Sequence, residues 1–179
     1  MSKPSSNLIQ TTRDDHRIAW FTALAITIHI AESALPSPLP GVKPGLANVI
    51  TIIVLIQFGW RMATWVNLLR VLASSLLIGT FLSPTFILSL SGALASTMTL
   101  ILLSQLPAQS CSPIGYSVAS AMSHTMAQFW MAYWLFIQHD ALFYLLPPLM
   151  TAALIFGLVS GIIALAILKK LPPNLQIIG

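Results

Sequence analysis

Arg70 stands inside the apolar run WVNLLRVLASSLLIGTF, residues 65–81. A cation at the centre of a bilayer helix costs roughly 2.5–3.5 kcal/mol on insertion scales, so something must offset it. Asn67, Arg70 and Ser74 share a helical face by i, i+3, i+4 spacing. Ser117, Ser120, His124 and Gln128 make a second stripe at the same spacings, and His29, Glu32 and Ser33 sit together upstream. In PGVKPGLAN, residues 40–48, Lys43 and two glycines lead into a helix start that carries Asn48. Glycines allow close backbone approach, and free N–H groups at a helix start favour negative charge, so this loop can accept an anion. The chemistry of the whole set is binding. A guanidinium and an ammonium serve an anion, while amides and imidazole serve its polar atoms. The candidate binding residues are Lys43, Asn48, Asn67, Arg70, His124 and Gln128.

The elements that must position them are membrane helices. The chain has 179 residues, 56% of them hydrophobic and only 7% charged. A soluble domain carries about 25% charged residues, so this composition cannot cover a surface in water. The net charge is +4, but no basic face of useful size exists, which argues against nucleic acid. The single Cys111 leaves no internal disulfide and no cysteine-built metal site, and no cofactor is expected. Residues 1–17 are polar and mixed in charge, unlike a cleavable signal.

A crossing helix needs about 20 apolar residues. Six spans are expected, at about 17–35, 45–59, 62–81, 84–104, 114–137 and 141–169. The breaks between them are chemical. LPSPLPGVKPG (35–45) is rich in proline and glycine, FGWR (58–61) is a tight turn, and Ser83 with Pro84 is a helix start. QLPAQSCSP (105–113) is a polar loop and QHD (138–140) a short turn. The organisation is a polar tail over 1–16, one membrane domain over 17–170 and a second tail over 171–179. With the N-terminus inside, Lys3, Arg13, Arg17, Arg61, Lys169 and Lys170 lie on the cytoplasmic side and Lys43 outside. That bias predicts an all-α integral membrane protein, a six-transmembrane-helix bundle with both termini cytoplasmic.

In this orientation Arg70 lies about 12 Å along its span, at 1.5 Å per residue. His124 falls near the middle of its own span, and His29, Glu32, Asn48, Ser89 and Ser91 fall in outer halves. The polar residues thus gather between the midplane and the outer surface, as a pocket opening outward requires. The partner of Arg70 is either Glu32, as a structural ion pair, or a ligand anion. His124, Asn48 and Asn67 also have a plain reading as hydrogen-bonding glue between helices. The intramembrane serines read as packing residues. Trp20, Trp60, Trp65 and Trp134 mark span ends, and Asp14–Asp15 reads as solvated tail.

The segments LPGVKPGLANVITIIVL, LLRVLASSLLIGTFLSPTFILSLSGAL and IGYSVASAMSHTMAQ resemble the Gx transporter family, also labelled heptaprenyl diphosphate synthase component I. The resemblance covers about residues 18–168. That family is similar to the substrate-binding S components of energy-coupling factor transporters. The likeness implies six helices, an outward pocket shaped by the loop after the first helix, and a home in the bacterial inner membrane. It also implies a small-xxx-small face on the first helix that docks a transmembrane coupling protein; AWFTA supplies Ala19 and Ala23, with ordinary packing as the alternative. No Walker A motif occurs, so ATP-driven uptake would need separate ATPase subunits. A prenyl diphosphate synthase holds magnesium through aspartate-rich motifs, and this chain has only Asp14, Asp15, Asp140 and Glu32, so it is not expected to be an enzyme. The leading expectation is a substrate-binding membrane subunit or small carrier for a small anionic or polar solute. The alternatives are an accessory of isoprenoid synthesis that binds a prenyl diphosphate and a structural subunit of a membrane redox complex.

Overall fold

The computed structural model describes residues 12–34, 45–106 and 111–170. Lys43, most of the loop over 35–45 and both ends of the chain lie outside the described residues. The described chain is all-helical: α1 (Arg13–Ala34), α2 (Ala47–Phe58), α3 (Trp60–Ile78), α4 (Pro84–Ser104), α5 (Pro113–Leu135) and α6 (Leu146–Lys170), with a 3-10 turn at Asp140–Leu145 before α6. No strand occurs among the described residues.

Local chemistry sets the ends. The α1 helix starts at Arg13, earlier than the expected span, and Asp14–Asp15 is its first turn rather than free tail. Thr12 and Asp15 form a reciprocal cap: the Asp15 N–H donates to Thr12 Oγ1 at 3.3 Å, and the Thr12 N–H donates to Asp15 Oδ2 at 2.7 Å. Gly59 alone separates α2 from α3, at φ 86° and ψ 173°, a conformation open essentially to glycine. The α3 helix stops at Ile78, short of the expected 81, because Gly79 takes the left-handed cap conformation. Ser83 Oγ accepts from the Phe86 N–H at 3.3 Å with Pro84 at the first helical position, and Ser112 with Pro113 repeats that start for α5. The segment expected as one span over 141–169 is one apolar stretch, Asp140–Lys170, that opens with the 3-10 turn. Pro147 and Pro148 lack N–H donors and suit a helix start, so the regular helix begins at Leu146.

Three of these segments are long and apolar enough to cross a membrane: Trp60–Ile78, Pro84–Ser104 and Asp140–Lys170. The protein is a helical membrane protein. The α1 and α5 helices have the length, but charges at the start of α1 and the polar stripe of α5 lower their hydropathy. The α2 helix is apolar yet only 12 residues long, about 18 Å at 1.5 Å per residue. Nine of those residues are buried, so α2 forms the centre of the bundle, against α1, α3, α5 and α6. Ile52, Val54 and Val66 join Leu100 and Leu168 in the main core. The α5 helix packs mainly on α4 and α6. Its contact with α6 is close because α6 reads GLVSG: a Cβ on Gly161 would lie 2.7 Å from Ile114 Cα, and one on Gly157 3.0 Å from Val118 Cα.

Candidate functional site

All six helices and the 3-10 turn wall a cavity of about 360 Å³. One part of its lining is polar: His29 and Glu32 from α1, Asn48 from α2, Arg70 from α3, and Ser120, His124 and Gln128 from α5. Another is apolar, with Phe129, Leu142, Leu145, Leu149 and Phe156. The structure therefore brings Asn48, Arg70, His124 and Gln128 to one cavity, together with Glu32.

Asn67 is not among the described lining residues. It is 1% exposed and lies between Arg70 and α4. Its Nδ2 donates to Thr97 Oγ1 at 2.9 Å and to Ala93 O at 3.3 Å, and its Oδ1 accepts from Arg70 Nη2 at 2.7 Å. Asn67 thus anchors the guanidinium to α4. Arg70 itself is 7% exposed, and its Nε is buried without a hydrogen-bond partner among the described residues. Among the described residues the one ion pair within 4.0 Å is Arg17–Asp14, so Arg70 and Glu32 are not in direct contact. Glu32 is nonetheless the opposite charge that acts on Arg70.

Glu32 does something the spacing did not suggest. Its Oε1 accepts from the Leu46 N–H and so ties α1 to the turn that begins α2. The same turn is tied to α5 and α6, since Ser120 Oγ donates to Asn48 Oδ1 and Ser160 Oγ to Gly45 O, each at 3.4 Å. His124 is seated by a glycine on α4. A Cβ on Gly92 would come within 2.8 Å of Cε1, Nε2 and Cδ2 of the ring. Neither Gly92 nor Ser160 stood out in the sequence. The only available signal was GLVSG, whose glycine pair lets α6 approach α5 and so brings Ser160 to the start of α2. Ala19 and Ala23 lie on the exposed face of α1 beside Trp20.

Fold and site together define a helical membrane protein with an internal cavity that carries both charges and an apolar wall. The family described as heptaprenyl diphosphate synthase component I matches residues 21–167, and the chain belongs to it. No curated protein and no solved structure matches the chain.

Proposed function

We propose that this protein is a substrate-binding membrane subunit or small carrier that takes up a small anionic or polar solute into the cavity. One observation carries the reading: a buried guanidinium lines a roomy cavity and, among the described residues, has no carboxylate in contact and no partner for its Nε. A buried charge left this way is costly, and a bound anion offsets the cost. Asn48, His124 and Gln128 supply hydrogen bonds around it. Lys43, two residues before the cavity-lining Gly45 in the sequence, adds a second positive charge for the solute. The chain works as a six-helix bundle in the bacterial inner membrane with both ends in the cytoplasm. The exposure of Trp20, Trp60, Trp65 and Trp134 fits interfacial positions at the helix ends. It performs no chemistry itself; any ATP-driven step belongs to separate subunits, with a coupling protein docked on the Ala19–Ala23 face.

A second reading, an accessory of isoprenoid synthesis, is favoured by the family description. There the guanidinium meets a diphosphate head and the apolar wall a prenyl tail. The test is native mass spectrometry of the gently purified protein, wild type beside Arg70→Ala. A small polar solute retained by the wild type and lost in the variant supports uptake. A retained prenyl diphosphate supports the accessory role. Retention of nothing by either protein, with a destabilised variant, makes Arg70 structural and removes both readings.

A further inference from the structure

Arg70 and Glu32 are the formally charged residues among those described around the cavity. Opposite charges that share a low-dielectric cavity attract strongly and ordinarily close into a pair. Here they stay apart, and each is held by a neutral group. Arg70 is fixed by the Asn67 amide, which is itself pinned to α4. Glu32 is fixed by the Leu46 backbone N–H. Both charged side chains and Asn67 are buried, with Asn67 1%, Glu32 4% and Arg70 7% exposed, while Leu46 is half-buried in the turn that begins α2, so the separation is built into the packing.

Among the described residues, this pair of opposite charges is matched in full by neither a simple anion nor a diphosphate. A ligand with negative charge alone meets Glu32 as well as Arg70, and a diphosphate brings two or more charges to the one guanidinium among the described lining residues. A ligand that carries one charge of each sign satisfies both residues at once. The apolar stretch formed by Phe129, Leu145, Leu149 and Phe156 takes a hydrophobic substituent. We infer that the cavity selects a zwitterionic small molecule with an apolar tail, its anionic group on Arg70 and its cationic group on Glu32. The inference rests on the cavity being a solute site, as proposed above, and it narrows the class of solute.

The test uses the full chain in detergent micelles and four probes: phenylalanine, 3-phenylpropanoate, 2-phenylethylammonium and geranyl diphosphate. Binding is read by isothermal calorimetry and by the rise in Tm. Phenylalanine is expected to bind about tenfold or more tighter than either singly charged analogue, because each analogue leaves one buried charge without its partner. In Glu32→Gln that advantage over 3-phenylpropanoate should vanish. Glutamine keeps an oxygen for the Leu46 N–H, so the turn is preserved. Tighter binding of 3-phenylpropanoate or geranyl diphosphate than of phenylalanine to wild type overturns the inference. So does an unchanged ranking in Glu32→Gln, or no binding of any probe. The retained-solute experiment separates the two levels: a retained molecule that proves purely anionic overturns this inference and leaves solute binding intact.

Discussion

Arg70 Nη2 lies 2.7 Å from Asn67 Oδ1, one helical turn away, and the Asn67 amide nitrogen lies 2.9 Å from Thr97 Oγ1 on the neighbouring helix. The guanidinium is therefore aimed by α4 as much as by its own helix. An isolated arginine has a long, mobile side chain, but this one is fixed at its tip, which lowers the ordering cost of meeting a ligand.

Asn67→Ala should remove that anchor. The buried hydrogen bond to a charged group is worth about 1.5–3 kcal/mol, and reversible unfolding in mixed micelles should show a loss of that order. Solute retention should fall with it, since the guanidinium is free to turn away. A loss under about 0.5 kcal/mol would mean that Asn67 is not what holds Arg70.

Gly92→Ala should displace the His124 ring, because the new methyl would sit within 2.8 Å of three ring atoms. The ring is the end of a rotatable side chain, so the fold survives and ligand affinity drops. A double-mutant cycle with His124→Ala checks the cause. Residues in contact couple by about 0.5–3 kcal/mol, so the two changes should be clearly non-additive in affinity.

Two glycines should respond differently to alanine. At Gly161 the methyl meets the Ile114 backbone at 2.7 Å, and α6 has to move away from α5; overpacking of this sort costs about 1–3 kcal/mol. At Gly59 nothing lies within 4 Å, so the cost comes only from the left-handed backbone, again of order 1–3 kcal/mol. The readout that separates them is Gly→Leu at each site. A larger side chain should worsen Gly161 sharply and leave Gly59 near its alanine value.

The first turn of α1 should loosen in acid. The Thr12 backbone N–H and then the Thr12 hydroxyl hold the Asp15 carboxyl below the usual carboxylate range. A lowered folded-state value means that the contribution is present at neutral pH and fades as pH falls below about 4, the ordinary aspartate value, through the folded one. Carboxyl chemical shifts followed by NMR should show a low midpoint for Asp15. Thr12→Val, which lacks the hydroxyl, should move it back toward the ordinary value.

How far the sequence reached differs from residue to residue. Composition made the membrane environment inevitable, since 7% charge leaves no way to cover a surface in water. Helix starts at Ser83–Pro84 and breaks at glycine were legible because they depend on residues within one turn of each other. The polar stripes were legible for the same reason: i, i+3, i+4 spacing defines a face before any packing occurs. The sequence could also show that Arg70 needs a partner. It could not show which one, because that depends on how far apart α1 and α3 stand.

Only the tertiary structure decided that Glu32 serves the Leu46 N–H rather than Arg70, and that Asn67 faces α4 rather than the cavity. The structure also decided that Gly92 on α4 makes the seat for His124 on α5. Each of these is a contact between helices far apart in the chain, set by the rotation and spacing of the bundle. Local spacing fixes which residues share a face of one helix. What that face meets is settled by packing, where one methyl group at Gly92 or Gly161 would change the answer.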